Sequence, residues 1–155
     1  MIKVLMVFLA LSVMLTMSCQ QKVDIEAEKA QVKGVLDDYV RAIETEDMDL
    51  YANKIAHDAT MMNFGGFGVP IVGWEALKKV MDGQNAALSE TKITVSDLAI
   101  HVSDDGKLAW ATCLWNLKAK MGENPVELPI RCSWVFEKRD NKWTIVHFHK
   151  SMAQA

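Results

Sequence analysis

Lys142-Trp143-Thr144-Ile145-Val146-His147-Phe148-His149-Lys150-Ser151 is the stretch on which the reading of the fold turns. It follows a charged turn, Glu137-Lys138-Arg139-Asp140-Asn141. Aromatic and β-branched residues fill it, the side chains that suit a pleated, half-buried surface, so it predicts a strand. A period of two gives one face with Trp143, Ile145, His147, His149 and Ser151, and another with Thr144, Val146, Phe148 and Lys150. Both faces are largely apolar, so both are expected to be covered.

Working back, Val126 to Glu137 and Leu108 to Lys120 alternate as paired strands around Gly122-Glu123-Asn124-Pro125. Asp104-Asp105-Gly106 predicts a hairpin turn. Lys92 to Val102 also alternates, but its phase slips between Val95 and Leu98, which predicts a bulge near Ser96-Asp97. Ahead of these strands lie the helices. Asp24 to Glu46 carries Val32, Leu36, Tyr39, Val40 and Ile43 on one stripe. Asp47 caps a second helix with Met48, Tyr51 and Ile55 inward, and Trp74 to Leu88 is a third. Between them Ala59 to Phe64 and Val69 to Val72 read as two short strands around Gly65-Gly66-Phe67-Gly68. That cluster lacks the Gly-Lys-Ser/Thr of a phosphate loop. Helices grouped before an antiparallel sheet predict an α+β domain with helices on one face.

The chain has 155 residues, enough for one domain, and a formal charge of −3 without a basic run excludes nucleic acid as an expected partner. Residues 1–19 read as a targeting segment and 20–155 as the domain. Lys3 precedes Val4 to Met17, an apolar run of 14 residues, too short to cross a bilayer comfortably. Its end, Leu15-Thr16-Met17-Ser18-Cys19, resembles a bacterial lipobox, although Thr16 departs from the usual Leu. The resemblance implies an exported protein held at the cell envelope by a lipid on Cys19.

The terminal stretch resembles the end of the association domain of calcium/calmodulin-dependent protein kinase II, which closes on a similar Lys-Trp-x-Ile-Val-His-Phe-His-x-Ser run. That domain belongs to the nuclear transport factor 2-like (NTF2-like) superfamily, together with SnoaL-like proteins and ketosteroid isomerases. The resemblance spans Glu26 to Ser151 in element order and is sharpest over Trp110 to Ser151. It implies three helices packed on a curved antiparallel sheet as a cone, with a pocket between sheet and first helix. Fold alone does not fix activity.

Ketosteroid isomerases carry a catalytic Asp shortly after an Asp-Ala-Thr step. Here the step is Asp58-Ala59-Thr60 and the matching residue is Asn63, an amide without usable basicity. The association domain lines its cavity with three arginines, and a gap-free count from the terminal run puts those positions at Leu114, Trp134 and Lys150. Only Lys150 keeps a positive charge. The expected pocket is lined by Trp110, Leu114, Trp134, Phe136 and Phe148, with Tyr39, Asn63, Thr112, Asn116 and Lys150 as polar points. It suits a small, mainly apolar ligand or a peptide end. The opposite face, with Trp115, Ile145, His147 and His149, is expected to make a dimer contact, because an apolar stripe of that size is not left in water. His147 and His149 share a strand face but lack a third ligand, so neither a metal nor another cofactor is expected. The same count puts Cys113 and Cys132 on opposite faces, predicting two free thiols rather than a disulfide. Two functions follow: an exported, lipid-anchored binding or oligomerisation domain, or a SnoaL-like or ketosteroid isomerase-like enzyme acting on a small apolar substrate.

Overall fold

A computed structural model describes residues 22–152. Residues 1–19, read above as a targeting segment, lie outside them. Helix α1 spans Ile25–Glu44. Asp24 caps it by accepting a hydrogen bond from the Ala27 amide, and Glu26 and Glu28 sit in its first turn, where the helix dipole favours acids. Its buried stripe is Val32, Leu36, Tyr39, Ala42 and Ile43. Asp47 caps α2, Met48–Ala52, in the same way through the Leu50 amide. After two short paired strands, β1 (Met62–Asn63) and β2 (Ile71–Val72), comes α3, Trp74–Ala87.

The main sheet is a four-stranded antiparallel meander of β3 (Ser89–Val102), β4 (Leu108–Met121), β5 (Asn124–Arg139) and β6 (Lys142–Met152), in that order. Its register is set by its turns. Gly122-Glu123 closes a two-residue loop between the paired Met121 and Asn124. Asp140 and Asn141 close the next with φ of 48° and 63°, the left-handed pair that a tight hairpin of matching twist requires. The predicted bulge is present: pairing of β3 with β4 shifts between Ser96 and Ala99, and Asp97 has φ 52°. A second bulge, at Val146, was not foreseen; Val135 pairs with His147 and Phe136 with Ile145. It flips the alternation of β6 midway, so Trp143 and Ile145 share the inner face with Phe148 and Lys150.

The face assignment of β4 needs correction. A two-residue loop pairs odd residues of β4 with even residues of β5. Ala111, Cys113, Trp115, Leu117 and Ala119 are therefore buried together with Ile130, Cys132, Trp134 and Phe136. Trp110, Thr112, Leu114 and Asn116 lie on the outer face, with Trp110 and Leu114 each 45% exposed. Trp115 and Ile145, expected in the dimer contact, are core residues. The gap-free count carried the faces of another chain across a hairpin whose local parity differs.

Two polar ties close the helices onto the sheet. Glu28 accepts from Lys138 Nζ at 2.6 Å and from Trp143 Nε1 at 2.7 Å. Arg139 grips Asp58 with both terminal nitrogens at 2.9 and 2.7 Å, the fork geometry that makes arginine–carboxylate pairs specific.

Candidate functional site

The inner face of the sheet presents a row across three strands: Cys113 on β4 pairs with Cys132 on β5, which pairs with Lys150 on β6. Above the row sits α1. Tyr39 meets Trp115, Trp134 and Phe148 with ring centroids 6.1, 6.3 and 6.3 Å away. Trp115 and Trp134, two strands' worth of indole on one face, are 5.4 Å apart. The Lys150 amine lies over Trp115 at 4.5 Å, Phe148 at 5.1 Å and Tyr39 at 5.2 Å from the ring centres. Ring quadrupoles attract a cation at such distances. No carboxylate joins them, and among the described residues Lys150 makes no ion pair.

Two cavities border Lys150. The first, of about 440 Å³, runs between the end of α3 and the lower sheet, past Ile43, Leu88, Trp115, Leu117, Leu128 and Ile130. The second, of about 550 Å³, runs under the glycine turn and along α3, past Ile71, Leu77, Met81 and Phe148. Gly66, Phe67, Gln84 and Lys150 border both. The walls are apolar and carry no Asp or Glu; Lys150 and, on α3, Lys79 are their titratable groups. Lys150 itself is only half-buried over the whole residue, because the cavities reach it, while its amine is enclosed by rings.

That enclosure sets the chemistry. Desolvation disfavours the ammonium and brings the Lys150 pKa down to about 8, opposed by the neighbouring Cys132 and Cys113. The Cys113 thiol is held below its ordinary value, first by a hydrogen bond from Cys132; Cys132 is pushed up by that same bond and by burial. Burial likewise raises Tyr39 and Tyr51, whose hydroxyls lie 3.4 Å apart, so both stay neutral phenols.

Of the residues predicted for the pocket, the fold brings Tyr39, Trp134, Phe148 and Lys150 together. Asn63 is fully buried but acts as a clamp: its Oδ1 accepts from the Phe148 amide at 2.9 Å, joining β1 to β6, and its Nδ2 has no partner. Trp110, Thr112, Leu114 and Asn116 face the other way. There Trp110 stacks on His101 at 5.0 Å, and Asn116 donates to Glu127 at 2.8 Å. His147 Nδ1 lies 2.6 Å from the Met62 carbonyl and His149 is exposed beside Phe64. A shallow outer depression borders Thr112, Leu114, Arg131, Ser133, His149 and Ser151. The sequence reading missed Trp115, Cys113, Cys132, Gln84 and Phe67 as site residues. The first three were discoverable from the parity of the Gly122-Glu123 loop; Gln84 and Phe67 arrive from helix and loop by tertiary packing alone. Cys113 and Cys132 are free, as expected, but they are direct cross-strand partners on one face, not residues on opposite faces. Among the described residues no three His, Cys, Asp or Glu side chains gather closely enough to share a metal ion.

Comparison with known proteins places this geometry. The SnoaL-like domain family matches residues 32–155. Among solved structures, a presumed dehydratase of the NTF2-like family from Streptomyces avermitilis superposes with TM-score 0.77 at 16% identity, covering 84% of this chain and 99% of that one. An NTF2-like superfamily protein from Salmonella enterica gives 0.75 at 21%, covering 84% and 94%. The S. rosetta hub of calcium/calmodulin-dependent protein kinase II gives 0.67 at 24%, covering 81% and 96%. At these identities the likeness shows the fold. No curated protein matches the sequence significantly.

Proposed function

The chain belongs to the SnoaL-like domain family, within the NTF2-like fold, and we propose that it binds a small, mainly apolar molecule whose oxygen-bearing head meets Lys150. One observation carries this reading: two apolar cavities converge on a single amine that has no acidic partner of its own. A site that keeps an uncompensated cationic group among rings is costly unless a ligand meets that group. The apolar walls supply affinity and the amine supplies orientation, the usual division of labour in small-molecule pockets.

The proposal extends to address and assembly. Export and lipid attachment through Cys19 would hold the pocket at the envelope surface, and the outer sheet face, with Trp110, Leu114, Arg131 and His149, would pair two copies. Support for pairing is the exposure of Trp110 and Leu114 on one face and the hub-domain neighbours. A catalytic reading has one observation in its favour, the lowered pKa of Lys150, since a group titrating near neutrality can move protons. Asn63 does not serve it: its carbonyl oxygen is committed to Phe148.

Native mass spectrometry of the gently purified chain tests the binding reading. Wild type is expected to carry a small-molecule mass that is released on denaturation. Gln84→Trp, which fills the junction of the two cavities from the surface of α3, is expected to lack it. Equal occupancy of both proteins, or none in wild type even after incubation with octanoate, would remove the cavity as the site.

A further inference from the structure

Lys150 is placed for covalent chemistry as well as for meeting a ligand's oxygen. An ordinary lysine stays charged and hydrated. This one is surrounded by the Trp115, Phe148 and Tyr39 rings and by two thiols, none of which accepts strongly from an ammonium. The groups facing it are Tyr39 from α1, Cys113 from β4 and Cys132 from β5, with Tyr51 of α2 behind Tyr39; across the second cavity lies Lys79 of α3. None is a carboxylate. The neutral amine is therefore more accessible here than in an ordinary lysine.

Access is also unusual for so enclosed a group. Besides the two cavities, Lys150 borders an opening formed by Phe64, Gly65, Gly66, His149, Ser151 and Met152. The amine's stem is fixed by its strand: the Lys150 amide donates to the Phe64 carbonyl at 2.9 Å. A nucleophile needs this combination of desolvation and fixed position.

We propose that Lys150 is a nucleophilic lysine that captures an aldehyde or ketone ligand as an imine, resting on the reading above that the cavity is a small-molecule site. The nitrogen lone pair of the neutral amine adds to the carbonyl carbon, and a proton passes from nitrogen to the former carbonyl oxygen. The resulting carbinolamine loses that oxygen as water while the C=N bond forms. No electrons are gained or lost, and no further reactant is needed. The imine so formed is neutral, the charge state that desolvation in these surroundings favours. With a pKa of about 8, roughly a tenth of the amine is neutral at pH 7, against less than ~0.1% of an ordinary lysine.

The test uses the full chain, hexanal as probe and cyanoborohydride to reduce any imine to a stable secondary amine, followed by peptide mapping at pH 7. Lys150 is expected to be alkylated at least ~10-fold faster than exposed lysines such as Lys33 and Lys142, with a rate that rises with pH and levels above about 8. Prior occupation by octanoate is expected to slow it, and Lys150→Arg, which removes the nucleophile, is expected to lose the fast site. Even labelling across the surface lysines would overturn the inference. Octanoate binding without fast alkylation of Lys150 overturns the imine and leaves the binding reading standing; absence of both overturns the two together. Wild-type mapping decides the matter by itself should Lys150→Arg fail to fold.

Discussion

Leu114 and Trp115 are neighbours in β4 and live in different worlds. Trp115 is 3% exposed, against Trp134 and beneath Tyr39, while Leu114 is 45% exposed on a face that carries Thr112, Arg131 and His149. Both are large and apolar, so hydrophobicity did not sort them. What sorted them is a two-residue loop: with Met121 opposite Asn124, odd positions of β4 must share a face with even positions of β5. Trp134, beneath Tyr39 on α1, then draws Trp115 and Cys113 inside with it. One strand slip would exchange core and surface wholesale. The comparison therefore teaches that register, not composition, decides which half of an amphipathic-looking strand faces the inner cavities.

The sharpest way to break this contrast is to truncate one indole on each face. Trp134→Ala removes a buried ring and leaves a cavity, and a loss of about 3–5 kcal/mol in urea unfolding is expected. Trp110→Ala, on the outer face, is expected to cost no more than ~1 kcal/mol. Equal losses would mean that both faces are packed cores. Next in size is Lys150→Met. Burial depresses the amine, so the unfolded chain holds its proton more tightly than the folded one between about pH 8 and the usual lysine range, and wild-type stability rises with pH across that window. Removing the charge is expected to stabilise by about 1–3 kcal/mol at pH 7 and to abolish the rise. A variant less stable than wild type at pH 7 would contradict the desolvated amine.

Glu28→Gln sharpens the contrast from the helix side, since Glu28 fastens α1 over the inner face. The Lys138 hydrogen bond is the chief cause of its lowered pKa. A depressed carboxyl contributes stability above the ordinary carboxylate range that is lost as pH falls through its folded pKa. The variant is expected to lose about 1–2 kcal/mol at pH 7 and to show a flatter acid limb, read from urea midpoints against pH. An unchanged acid limb would place the acid sensitivity elsewhere, for instance at Asp58 beside Arg139. The smallest stability effect is expected at Leu114→Glu, within ~0.5 kcal/mol, yet it should dissociate the proposed pair of copies in sedimentation. Wild type running as a monomer at micromolar concentration would remove the pairing.

Much of the frame was legible in the chain. The helical stripe of Val32, Leu36, Tyr39 and Ile43, the caps Asp24 and Asp47, and the phase slip at Ser96-Asp97 all announce themselves, because they are local and each has a short-range cause. That Tyr39, Trp134, Phe148 and Lys150 come together was also legible: Tyr39 from the helical stripe, and Phe148 and Lys150 because the inner face of β6 beyond its bulge was read correctly. The rest of the inner face was not, for three physical reasons. Faces of β4 were inherited from a resemblance instead of from its own even-membered hairpin, which inverted Leu114 and Trp115. The bulge at Val146 has no glycine or phase break to betray it, and it moved Trp143 and Ile145 to the inner side. Gln84 and Phe67 come to the cavity from elements whose placement over the sheet is a tertiary outcome.

Calorimetric titration of octanoate bears most directly on the claim that the face carrying Trp115 and Lys150 is the binding face. Three proteins suffice: wild type, Gln84→Trp at the junction of the inner cavities, and Leu114→Trp on the outer face. One molecule per chain is expected to bind wild type and Leu114→Trp alike, with binding abolished in Gln84→Trp. Binding that survives Gln84→Trp and disappears in Leu114→Trp would put the ligand on the outer face and contradict the assignment.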